Sequence, residues 1–158
     1  MAIHTSSRET INILEEIFEM HKEEKICVIG STCCGKSTLL DKIPNCVDMD
    51  EVLWPLLTQE EKDFICQKPW TKEIEDYFDN LICKKVKIEN GVPMFGTVIL
   101  DCNVVVYLDI EDDLLQEHCK KRNVNFEDAK NMKLTIENDW NNHRLQGEKK
   151  FYYIMLRE

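Results

Sequence analysis

The chain has 158 residues, 43% of them apolar and 32% charged, with a formal net charge of -10. That size suits one domain with a single core, and the composition lies well outside the disordered range. The acidic balance speaks against nucleic-acid binding, which needs a basic face to displace counterions. It leaves room for a nucleotide, whose phosphates one loop and one lysine can hold.

No apolar run approaches the roughly 18 residues of a membrane span, and no basic-then-apolar leader opens the chain. A cytoplasmic protein without a membrane partner is expected. The 8 cysteines are scattered and form no CxxC pair, which points to reduced thiols rather than a disulfide framework or structural zinc.

In chain order, residues 6–22 read as an amphipathic helix, capped by Ser6 or Ser7, with Ile11, Leu14, Ile17 and Phe18 on one face. Residues 25–29 are a short apolar run before Gly30, as in a buried strand. A glycine-bracketed loop and a helix over 37–43, stopped by Pro44, follow. A second strand is expected at 46–49. Thr58 and Glu61 form a capping box for a helix to about 68. Thr71 opens another, which carries Ile74, Phe78, Leu81, Ile82 and Ile88 and closes at Asn90 and Gly91. Strands are expected at 92–97 and 103–108, the latter rich in β-branched residues. Helices over 112–122 and beyond Asn125, the second bearing Ala129, Met132, Ile136 and Trp140, precede a last strand at 151–156. This alternation predicts an α/β fold: one three-layer α/β/α sandwich around a mainly parallel sheet.

The segment Gly30-Ser31-Thr32-Cys33-Cys34-Gly35-Lys36-Ser37 satisfies GxxxxGK[ST], with an apolar strand before it and a helix after it. In that pattern backbone N–H groups curl around a β-phosphate, and the glycines allow the close approach. Lys36 reaches the β- and γ-phosphates, and the Ser37 hydroxyl ligates Mg²⁺. The expected nucleotide-binding set is Gly30, Ser31, Thr32, Cys33, Cys34, Gly35, Lys36, Ser37 and the adjoining Thr38, with ATP and Mg²⁺ bound. Cys33 and Cys34 are unusual occupants. Either oxidation of one of them blocks nucleotide entry, or two small residues simply fit the loop.

Asp48 and Asp50 follow the second strand, where a parallel sheet presents its ligand crevice. Asp48 is assigned to the metal, beside Ser37, and Asp50 to the acceptor hydroxyl. Asp101 is a rival acid if the third strand ends at 100.

These stretches, GSTCCGKSTLL, VDMDEVLW and NVVVYLDIEDDLLQEHCKKRN, resemble P-loop kinases of the shikimate-kinase and adenylate-kinase type over about residues 25–125. The resemblance implies a P-loop kinase-like fold and an ATP-dependent transfer to a small-molecule hydroxyl. It also implies a mobile lid over 120–146, with Arg122 and Arg144 as catalytic arginines on the transferring phosphates. The single domain, 1–158, then comprises an N-terminal helix (1–23), the nucleotide-binding body, a helical acceptor-side insert (51–90) and the lid. The insert offers Trp54, Phe64, Trp70 and Tyr77, with Lys62, Lys68 and Lys72 but no arginine. A neutral acceptor, nucleoside or sugar-like, therefore fits better than an anionic one. His118 and His143 lack partners at metal-ligand spacing and read as structural. The rival readings are a hydrolytic or regulatory ATP-binding protein and a fragment of a larger enzyme. Oligomeric state is not legible.

Overall fold

The computed structural model describes residues 3–5, 7–69 and 71–157; Ser6 and Trp70 lie outside the described residues. Six strands form one sheet: β1 (Ile3–Thr5), β2 (Ile26–Ile29), β3 (Val47–Asp48), β4 (Met94–Gly96), β5 (Val104–Ile110) and β6 (Lys150–Leu156). Their order is β1-β6-β5-β2-β4-β3, and every pair is parallel. Among the described residues seven α-helices surround them: α1 (Ser7–Met20), α2 (Lys36–Lys42), α3 (Met49–Leu53), α4 (Gln59–Ile65), α5 (Lys72–Lys85), α6 (Asp112–Arg122) and α7 (Phe126–Gln146).

The pleat of the central strands divides the core in two. Cys27 and Ile29 of β2, with Val105 and Tyr107 of β5, face a cluster built with α3, α4, α5 and the second half of α7. Ile26 and Val28, with Val104, Val106 and Leu108, face α1, α2 and α6. Both strands are wholly buried, as a parallel sheet covered on both faces requires. The three-layer α/β/α sandwich expected from the sequence is the observed fold.

Several local readings change. β1 adds an edge strand that pairs with Ile154, Met155 and Leu156 of β6. The second strand shrinks to Val47 and Asp48, because the Asp48 carboxylate accepts from the Asp50 N–H at 2.8 Å and starts α3 there. A 3-10 turn, Trp54–Leu56, follows α3. The Thr58–Glu61 capping box is present. α6 ends in left-handed Asn123, and Asn125 caps α7 directly. Residues 120–146, the expected mobile lid, are thus the end of α6 and all of α7, whose Ala129, Ile136 and Trp140 are buried.

The connection from β4 to β5 is unusual. Parallel strands normally need a crossover of about a dozen residues or more, commonly a helix. Here residues 97–103 pass across β2 as an extended strap. Val98, Ile99, Leu100 and Cys102 are buried in the cluster that includes Cys27, and the Cys27 thiol donates to the Val98 carbonyl at 3.4 Å. Apolar side chains replace the helix that would otherwise cover this part of the sheet.

Candidate functional site

The chain leaves β2 toward one edge, to β3, and returns through β4 before passing to β5 on the other side. β2 is therefore a topological switch point, and a crevice is expected beyond its carboxyl end. The 30–37 loop sits there. Its start is tied to the neighbouring strand by Gly30 N–H donating to the Gly96 carbonyl at 3.1 Å. A Cβ on Gly30 would stand 2.7 Å from Cys34 Sγ and 3.0 Å from the Leu108 carbonyl oxygen, and one on Gly96 would meet Met49 at 2.6 Å. Gly35 has φ 107°, a left-handed angle that favours glycine, and caps α2. Cys33 takes φ 64° without that freedom and is held from outside, where the His118 Nδ1–H donates to its carbonyl at 2.7 Å.

A cavity of about 660 Å³ opens at this end of the sheet. Ser31, Thr32, Cys33, Lys36 and Ser37 line it from the loop, Asp48 and Asp50 from β3 and α3, and Arg122 from the end of α6. Most of the sequence-derived set is thus brought together. Gly30, Cys34 and Gly35 shape the loop from behind, and Thr38 is exposed on α2 away from the cavity. Arg144 stands elsewhere, 5.8 Å over the Trp140 ring, in a second cavity of about 690 Å³ with Tyr107, Asp109 and Tyr153. That cavity contains no residue of the loop. Asp101 belongs to the strap near Lys25, at the amino end of β2, so it is remote from the loop.

The Lys36 ammonium donates to the carbonyls of Gly30 and of Ser31, the latter at 2.7 Å. Ser31 is 3% exposed, and its hydroxyl has no hydrogen-bond partner among the described residues. A buried hydroxyl left unpaired costs about 1–3 kcal/mol, and the residue that carries it is one of those lining the cavity. Asp50 opens onto solvent, yet the cleft walls still push its carboxyl above the usual range. Repulsion from Asp48 adds to this, and Lys36 partly offsets it. Cys33 and Cys34 are 4% and 1% exposed and pack into the α2–α6 side of the core. Burial, together with the adjacent Cys33 thiol, pushes Cys119 up to about 11. Cys33, Cys34 and Cys119 pack there as small groups.

The far wall was not read from the sequence. α5 contributes Thr71, Lys72, Glu75, Phe78 and Asp79, and α7 contributes Asp128, Asn131, Met132, Thr135, Ile136 and Asp139. On each helix these residues recur at three- and four-residue spacing, one face of a helix. That polar stripe was present in the sequence and could have been found as a second periodicity alongside the apolar one. Trp54, Phe64 and Tyr77 of the insert stand apart from the cavity. Lys62 lies 5.1 Å over Trp54, and Phe64 packs on Tyr77 at 4.6 Å.

Among the described residues no group of three or more His, Cys, Asp or Glu is arranged to hold a metal ion, and no helix is long and apolar enough to cross a membrane. Ser37 and Asp48 nevertheless share the cavity. One hydroxyl and one carboxylate suit magnesium, which takes few protein ligands and completes its shell with phosphate and water. No protein-family model matches the chain, and no curated protein matches it.

Proposed function

We propose that this protein is an ATP-dependent kinase of the P-loop class, transferring the γ-phosphoryl group to a hydroxyl of a small metabolite. One observation carries the reading. Three separate stretches, the 30–37 loop, the Asp48–Asp50 turn and the end of α6, converge on one cavity at the switch point of a parallel sheet.

In this reading the phosphates displace the Gly30 and Ser31 carbonyls as partners of Lys36, and the unpaired Ser31 hydroxyl gains an acceptor. Ser37 and Asp48 would hold magnesium, which supplies charge neutralisation on the phosphates. Asp50 accepts the proton of the attacking hydroxyl, a role suited to a carboxylate whose proton affinity is raised. Arg122 stabilises charge on the transferring group. The test is ADP release from MgATP with and without pooled hydroxyl metabolites, with Lys36→Ala as the blank. Acceptor-dependent ADP that disappears in the variant supports a kinase. ATP binding without it rejects that reading.

A second reading, an ATP-binding regulator or hydrolase, draws on the packed α7 and on Arg122 being the one arginine among the described residues that lines the cavity. Acceptor-independent turnover, or tight ATP binding without turnover, distinguishes it.

A further inference from the structure

The cavity has two chemically opposite ends. The loop end presents Lys36, Arg122, Thr32 and Ser37. The far end, between α5 and α7, presents Glu75, Asp79 and Asp139, with Phe78 and Ile136 as apolar wall. The Thr32 N–H approaches Met132 Sδ at 3.3 Å, which fixes where α7 meets the loop. Asp139 is seven residues further along α7, or about 10 Å at the helical rise. A molecule of a few carbons spans that interval.

These acids lack cationic partners of their own. Among the described residues neither Asp79 nor Asp139 is within ion-pair distance of a lysine or arginine. Glu75 has Lys72 at 4.0 Å, but that ammonium is 73% exposed and sits closer, at 3.0 Å, to Asp76. Burial and repulsion from Glu75 and Asp139 push Asp79 up to about 6, Lys72 offsets part of this, and Asp76 adds to the repulsion. The acids are not grouped as metal ligands, so their spacing suits a larger, organic cation. Ser31, whose buried hydroxyl is unpaired, belongs to the opposite, loop end of the same cavity.

Resting on the kinase reading, we propose that the acceptor is a hydroxyl compound bearing a protonated amine, with its hydroxyl at Asp50 and its ammonium between Asp79, Glu75 and Asp139. In the transfer a bond forms between the acceptor oxygen and Pγ, and the bond from Pγ to the β,γ-bridging oxygen breaks. The hydroxyl proton goes to Asp50, the bridging electrons leave with ADP, and the ammonium is unchanged. The product is a phosphate monoester of the amino alcohol. This replaces the neutral acceptor expected from the arginine-free insert: the facing acids of α5 and α7 select positive charge.

The experiment uses the full chain, MgATP and two matched series: ethanolamine, ethylene glycol and glycolate; glucosamine, glucose and gluconate. ADP release is measured with each, and binding of the two amines is titrated separately by calorimetry. The expected result is an amine kcat/KM at least about 10-fold above the neutral member, with no activity on the acids. Asp79→Asn and Asp139→Asn should remove that advantage mainly through KM. A neutral or acidic member leading its series would overturn the inference and leave the kinase reading standing. Amine binding that is lost in both Asn variants, without ADP from any series, would uphold the cation site and reject the kinase. Neither amine binding nor ADP would reject both.

Discussion

The loop wall and the helical wall of the cavity differ in how completely the protein satisfies its own charged groups. The 30–37 loop is over-determined: Gly30 is bonded to Gly96, Cys33 is held by His118, Lys36 bridges two carbonyls, and the thiols beneath are buried. Across the cleft, the acids of α5 and α7 crowd one another with one exposed lysine between them. Rigid geometry suits a constant ligand such as a triphosphate. Unrelieved charge suits a ligand that brings the missing counter-charge, at a cost to stability while the site is free. Substitutions on the two walls should therefore have opposite stability signatures.

The largest effect is expected on the loop. Lys36→Ala removes the cation of the proposed phosphate site and should lower nucleotide-dependent turnover on the order of 1000-fold, read as ADP release with folding checked by circular dichroism. Unchanged ATP binding and turnover would dismantle the comparison at its base. Next is Asp50→Asn, expected to lower acceptor-dependent turnover about 100-fold. Because the cleft walls and Asp48 raise the Asp50 carboxyl, wild-type turnover should rise with pH through a point above the ordinary aspartate value of about 4. An acid limb at or below that value would remove Asp50 from the role of base. Gly30→Ala is a stability test of the same wall. Its Cβ would meet Cys34 Sγ and the Leu108 carbonyl oxygen, and an overpacked backbone contact should cost about 2 kcal/mol in urea unfolding. A neutral result would mean that the loop yields where its contacts say it should not.

The same contrast explains what could be read in the sequence. The loop was legible because its chemistry is local: two glycines, a lysine and a serine at fixed spacing between a strand and a helix. The layered fold was legible from apolar runs such as 104–110, buried on both faces. The acidic wall was not, because Asp79 and Asp139 are sixty residues apart and only packing brings α5 and α7 to one cleft. The extended strap hid a further error. With no helix over 97–103, the chain returns to the amino end of β2 at Asp101, which in sequence had looked like the end of a strand. Arg144, one turn beyond the buried Trp140 on α7, lies over that ring and in the other cavity.

Asp79→Asn is the smallest expected effect and the most diagnostic. Asp79 titrates at about 6 in the fold, against about 3.9 in an unfolded chain. Between those values the folded state binds more protons than the unfolded one, so stability falls as pH rises through that window and levels off above it. At pH 7.5 the ionised Asp79 is thus a net cost, which the amide removes. The full shift would correspond to about 3 kcal/mol at 1.36 kcal/mol per unit. Asp79 is partly open to water, and solvent screening reduces this to about 1 kcal/mol. Urea unfolding should show the variant more stable than wild type at pH 7.5 and equal to it near pH 3.5, where both side chains are neutral. A variant less stable at pH 7.5 would mean that Asp79 is already paired within the protein, and an equal gain at both pH values would assign the effect to packing. Stabilisation confined to the higher pH, together with a lost amine preference, would show that the far wall holds its charges for a ligand.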